Sequence, residues 1–227
     1  MTMRSTRTES GEAPVVWDLP TRLFHWLLVL LLVGSFLAVK AGGNWIDWHF
    51  RAGYAILALI VFRIIWGFVG GRYARFGSFL FRPRQVLAYL RGAPDAHPGP
   101  GHNPLGALSV FAMLLLIGVQ AVLGLFANDD IASEGPLASL VSKDTSDFLT
   151  GLHLRHEPII LALVALHVLA IAWYRIVRGR RLVRPMVTGR DPQAPPGTVP
   201  SRDDARTRLG ALAILAGVAV AVWLVVR

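Results

Sequence analysis

The sequence contains no cysteine. That absence excludes disulfides, cysteine-ligated iron–sulfur clusters and thioether-attached haem, because each requires thiols. Carboxylates are also scarce, with 14 Asp and Glu against 23 Lys and Arg, for a net charge of +9. Inside the long apolar runs the only acid is Glu157. A proton-coupled or cation transporter usually places Asp or Glu within its spans. A zinc site wants ligands converging on one point, often with a carboxylate among them. Neither chemistry finds its usual groups here. A soluble domain is missing as well, so the basic pI of about 11.1 has no folded surface on which to bind nucleic acid. The charge reads instead as a topology signal.

Apolar sequence is what the chain has in quantity: 54% of its residues are hydrophobic and its mean hydropathy is +0.51. Runs of about 18 or more apolar residues mark membrane-spanning helices, and five are present. They lie in VVWDLPTRLFHWLLVLLLVGSFLAVK, WHFRAGYAILALIVFRIIWGFVG, LGALSVFAMLLLIGVQAVLGLFA, the run that opens at His153, and LGALAILAGVAVAVWLVV. An all-α membrane protein follows. Residues 1–14 are polar and read as a disordered tail. Asp18 is placed to cap the first helix, with Pro20 in its first turn. The first run ends in AVKAGG, with no convincing cleavage site, so it is expected to stay as a helix. FLFRPRQVLAYL reads as a short amphipathic helix on the membrane surface, and residues 186–208 as a Pro-rich polar linker. Short loops rich in Lys and Arg mark the cytoplasmic side. The tail and the loops after spans two and four are arginine-rich, whereas the loop after span three is acidic. This puts the N-terminus in the cytoplasm and the C-terminus in the periplasm of an inner-membrane protein.

His153 and His167 stand 14 residues apart in a helix-length apolar run. Fourteen steps of about 100° fall roughly 40° short of four turns and rise about 21 Å. Both rings therefore leave one face of one helix at two depths. That suits an axial ligand for each of two stacked haems, although a lone histidine on an apolar face is more commonly a satisfied core residue. Topology sorts the others. His25 enters from the cytoplasmic side and His167 lies toward it, while His49 and His153 open their spans from the outer side. One imidazole pair per leaflet is what two bis-histidine haems stacked across a bilayer require. Without cysteine they would be of the b type, held non-covalently. Gly53, one turn beyond His49, would let a flat macrocycle lie against the backbone. Arg63 repeats the spacing of 14 from His49. An arginine that deep either pairs with a haem propionate or snorkels to the membrane edge. Gln120, the one strongly polar side chain of span three, bonds a neighbour or its own helix. Gly106, Gly118, Ala121 and Gly124 on that span suit close helix packing. His97 and His102 read as solvated loop histidines.

WDLPTRLFHW, WHFRAGYAIL followed by RIIWG, the GHNPLG turn and the H-x13-H of span four together resemble the prokaryotic cytochrome b561 and nickel-iron hydrogenase cytochrome b family. The likeness covers roughly residues 15–185. It implies a four-helix transmembrane bundle holding two b haems, with residues 209–227 as an extra C-terminal transmembrane helix. Carried onto this chain, His25 and His167 would hold the inner haem and His49 and His153 the outer one, with His156 as a competitor for His153. The family passes electrons between the membrane quinone pool and a partner. A c-type cytochrome or hydrogenase-like protein in the periplasm is the expected partner, alongside quinone and membrane lipid, and a homodimer is left open. Asp129, Asp130 and Glu134 of the acidic loop are placed to steer a basic partner. Within the family the alternative is a stand-alone oxidoreductase acting on superoxide or another small oxidant. From another class, the rival is a haem-free membrane anchor or transporter.

Overall fold

A computed structural model of the chain describes residues 12–93, 99–131 and 133–227. Among these residues the fold is all helical, with α1 Leu19–Ala41, α2 Ile46–Val69, α3 Pro83–Leu90, α4 Pro104–Gly124, α5 Lys143–Ile176, α6 Val183–Thr188 and α7 Ala205–Val226. Five of them, α1, α2, α4, α5 and α7, are long and apolar enough to cross a membrane.

Side-chain caps set four of these starts. Asp18 accepts from the Thr21 N–H at 2.8 Å, Asn103 from Gly106 at 2.7 Å, Ser142 from Thr145 at 3.2 Å and Asp204 from Thr207 at 2.8 Å. Each removes one orphan donor of a first turn. The Ser142 cap corrects the expected extent of the fourth span. Its helix begins at Lys143, so Asp144 and Asp147 are helical and Pro158 lies well inside the helix, not near its start. At 1.5 Å per residue a helix this long outreaches a hydrocarbon core of about 30 Å, and its polar first turns project past the apolar run.

Helix α2 is the most buried of the spans, with α1, α4 and α7 packed against it and α4 packed against α5. One apolar cluster gathers Phe24, Leu59, Phe62, Trp66 and Ala211, joining α1, α2 and α7. The other gathers Ile56, Ile60, Ile117 and Ile160, joining α2, α4 and α5. A Cβ on Gly118 would stand 3.4 Å from Ile60, so the small residue lets α4 lie close to α2. In lipid such packing is favoured by dispersion contacts, because burial from water supplies little.

The polar stretch 186–208, expected as a linker, is instead packed against the start of the chain. Val16 and Trp17 N–H groups both donate to the Gly189 carbonyl, at 2.8 and 3.1 Å, and Ser201 N–H donates to the Val15 carbonyl at 2.7 Å. Leu19 N–H donates to Asp203 at 3.0 Å. The last residues of the expected tail are held too: Glu12 pairs with Arg190 at 3.0 Å, and residues 1–11 lie outside the described part. At the centre of this layer Asp18, only 1% exposed, accepts from Thr21, from Trp66 Nε1 at 3.3 Å and from Gly71 N–H at 2.9 Å. A buried carboxylate needs such a full set of donors. Any side chain on Gly71 would strike the Asp18 carboxylate. The amphipathic segment forms α3 as expected, with Leu80, Leu87 and Leu90 exposed.

Candidate cofactor site

Between α1, α2, α4 and α5 lies a cavity of about 1260 Å³, larger than the roughly 300–1,000 Å³ of an ordinary small-molecule site. It runs from Trp17 and Asp191, at the end bearing the arginine-rich loops, to Asn128 and Ser133 at the opposite, acidic end. His25, His49, His153, His167, Gly53 and Arg63 all line it, and so does His102. His156 is not among its lining residues. At the acidic end Lys40 of α1 pairs with Glu157 of α5 at 3.5 Å. At the other end Trp26 Nε1 donates to the Met186 carbonyl of α6 at 3.1 Å.

His49 and His153 face each other from α2 and α5. Their ring centres are 6.1 Å apart and their planes nearly perpendicular, at 87°. Two imidazoles bound head-on to one metal, at about 2 Å each, put their ring centres roughly 6 Å apart. Both rings are also oriented for it. His49 Nδ1 lies 3.1 Å from the Ser35 carbonyl and 2.9 Å from the Ser35 hydroxyl. His153 Nδ1 lies 3.1 Å from the Gln120 carbonyl. A carbonyl only accepts, so each Nδ1 carries the proton and each Nε2 lone pair is left for a metal. Gln120 fixes the contact from the other direction, its Nε2 donating to the His153 carbonyl at 3.1 Å. A Cβ on Gly124 would stand 3.1 Å from His153 Cε1, whereas one on Gly53 would meet no atom within 4 Å. The first glycine makes room for the imidazole, and the second leaves open space beside α2 for a flat ligand.

His25 and His167 line the other end of the cavity, within electrostatic reach of each other. His25 packs edge-on against Trp26, with ring centres 4.9 Å apart, and its buried Nδ1 has no partner within the chain.

Arg63 does not snorkel. It is 2% exposed, donates from Nη2 to the Ala74 carbonyl at 3.0 Å and lies 5.1 Å from the centre of the Phe76 ring. Its Nη1 is buried without a partner. His102 corrects the expectation of a solvated loop histidine. It is wedged between Trp17 and Phe79, with ring centres 4.7 and 4.6 Å away, and its Nδ1 is buried and unpartnered. Burial, with help from the charges of Arg63 and His167, pushes its pKa down to about 3, so the ring is neutral near pH 7. His97 lies outside the described residues. Three contributors escaped the sequence reading. Thr21 had a signal, since it lies one turn from His25 on the same face. His102 stands two residues before α4, close to the bundle. Ser35 had no local signal, because its contact is made between helices.

One opposed imidazole pair, two further histidines on the same cavity, apolar walls and a buried cation form a donor set that fits a b haem. Among the described residues no group of three or more His, Cys, Asp or Glu could hold a bare metal ion.

Similarity to known proteins agrees with this chemistry. The family model described as prokaryotic cytochrome b561 matches residues 16–189. The chain is 27% identical over 144 residues to the probable Ni/Fe-hydrogenase 1 B-type cytochrome subunit of Escherichia coli (strain K12), covering 52% of this chain and 61% of that one. It is 27% identical over 148 residues to the probable Ni/Fe-hydrogenase B-type cytochrome subunit of Azotobacter vinelandii, covering 50% and 61%. It is 28% identical over 145 residues to the protein of that name in Cupriavidus necator, covering 52% and 59%. The chain thus spans about three fifths of the length of these curated relatives. No solved structure matches it. With 16–189 matched and a histidine-lined cavity within that span, the chain belongs to the prokaryotic cytochrome b561 family.

Proposed function

We propose that this protein is a di-haem b-type cytochrome that carries electrons across the inner membrane, between the quinone pool and a redox protein on the periplasmic side. In this reading residues 15–185 are the four-helix haem domain and α7 is an added fifth span. His25 and His167 hold the haem nearer the cytoplasm, and His49 and His153 hold the one nearer the periplasm. The observation that carries the proposal is the His49–His153 pair: opposed rings 6.1 Å apart, each with Nδ1 on a backbone carbonyl.

Bound haem supplies a one-electron couple. The chain does the rest. Ser35 and Gln120 carbonyls fix the tautomer of the outer ligands and make them stronger donors. Gly53 keeps backbone, not side chain, beside the slot, and the apolar walls from α1, α4 and α5 exclude water, which tunes the potential. The hydrogenase subunits among the relatives support a hydrogenase-like partner, with a c-type cytochrome as the alternative. The purified protein should give a b-type pyridine haemochrome spectrum at close to two haems per chain. A folded protein without a Soret band sinks the reading.

A further inference from the structure

We propose that Arg63, His102 and Thr21 form a carboxylate-binding site at the arginine-rich end of the cavity, and that His102 and Thr21 hold a propionate of the haem bound there and thereby raise its potential. The inference rests on the di-haem reading and adds two positioning residues to it.

Besides His25 Nδ1, three side-chain atoms at this end of one cavity are buried and lack a partner within the chain: Arg63 Nη1, His102 Nδ1 and Thr21 Oγ1. A buried polar atom left unpaired costs free energy, and a buried unpaired charge costs more. Arg63 is such a charge. Asp18 is the carboxylate whose field reaches it, but Asp18 makes no ion pair with it and is occupied by Thr21 N–H, Trp66 and Gly71. The cavity is therefore where the missing anion belongs.

The other two groups fit the same ligand. His102 is held in place by Trp17 and Phe79, so its Nδ1 is aimed and not swinging. As a neutral ring it offers an N–H without adding a second cation beside Arg63. Thr21 precedes His25 by one turn, which puts its hydroxyl on the ligand face of α1. A cation flanked by two neutral donors is a set for a single carboxylate. Such a carboxylate, by its negative charge, favours ferric over ferrous iron. Donors that draw off that charge favour the ferrous form, and Arg63 keeps the carboxylate ionised when either neutral donor is removed.

The test is a spectroelectrochemical titration of both haems in the purified holoprotein. His102→Leu should lower the potential of one haem and leave the other unchanged. The expected loss is three- to tenfold in the reduced-to-oxidised ratio at fixed potential, about 30 to 60 mV for a one-electron couple. His102→Gln, which restores an N–H donor, should recover most of the shift. Thr21→Val keeps the shape and deletes only the hydroxyl, so it interrogates the site independently if His102→Leu fails to assemble. It should lower the same potential by a smaller factor. Unchanged potentials in these variants, equal shifts of both haems, or a shift that Gln does not reverse overturn the proposal. A parent protein that purifies without haem overturns the di-haem reading instead.

Discussion

His153 and His156 lie three residues apart and share a helix face with His167 by spacing alone, so periodicity does not choose between them. The structure separates them by their surroundings. His153 lines the cavity, faces His49 and has its Nδ1 on the Gln120 carbonyl. His156 is outside the lining and its buried Nδ1 has no partner. Replacing His153 by Ala should therefore lose one haem and keep the other, so that haemochrome content falls from about two per chain to about one. Replacing His156 by Ala should leave the content near two. The reverse pattern would reassign the ligand. Arg63 carries the same lesson: its depth was legible from its distance to His49, but its tie to Ala74 was not.

At the scale of elements, α7 is fastened at two levels. Ala211 sits in the cluster of Phe62 and Trp66 on α2, and the turn before α7 is tied to α1 through Asp203. That carboxylate accepts from Leu19 N–H and pairs with Arg22 at 3.8 Å and Arg208 at 3.0 Å. Burial alone would raise its pKa, but the Arg208 hydrogen bond, the Leu19 N–H and the two arginine charges outweigh that and hold it below the ordinary carboxylate range. Because the folded value is depressed, the tie is present above a pH of about 3.9 and is lost as pH falls through the folded value. Hydrogen bonds to charged groups contribute about 1.5–3 kcal/mol, less where water screens them. Asp203→Asn should thus open the turn before α7 about tenfold more often, measured as faster tryptic cleavage after Arg202 or Arg206 in the detergent-solubilised protein at pH 8. An unchanged cleavage rate would show that α7 is held by its membrane-embedded contacts alone.

Across the whole molecule, charge is segregated by end. The acidic end was expected to steer a partner with Asp129, Asp130 and Glu134, yet two of these already have internal work. Asp129 accepts from the Ile131 and Ser133 N–H groups at 3.0 and 2.8 Å, and Asp130 is bonded to Lys143, which also holds Asp147. Glu134 and the helical Asp144 are exposed and are better placed to act at long range. The double variant Glu134→Gln/Asp144→Asn should slow electron exchange with a basic c-type cytochrome a few-fold at low ionic strength. The difference should disappear near 1 M salt, where the Debye length is about 3 Å. A rate independent of the two charges at every salt concentration would remove this end from the docking path.

The sequence alone determined the number and extent of most spans, because a membrane demands long apolar runs and local composition reports them directly. It also determined the depths of His25, His49, His153 and His167, since a helix converts residue separation into depth and face. What holds the Nδ1 of His49 and of His153 was decided only in three dimensions. Ser35 meets His49 from another helix, and nothing near either residue announces it. The same holds for the packed stretch 186–208, whose tie from Leu19 to Asp203 closes over 184 residues; its Pro, Gly and charged residues read locally as a linker. The early start of α5 was missed because its first turns are polar and held by the Ser142 cap rather than by apolar periodicity. Which helix α7 covers, and whether His102 meets water or Trp17 and Phe79, depends on neighbours brought together by folding. Periodicity tells which face of a helix is apolar, and only tertiary structure decides what that face meets.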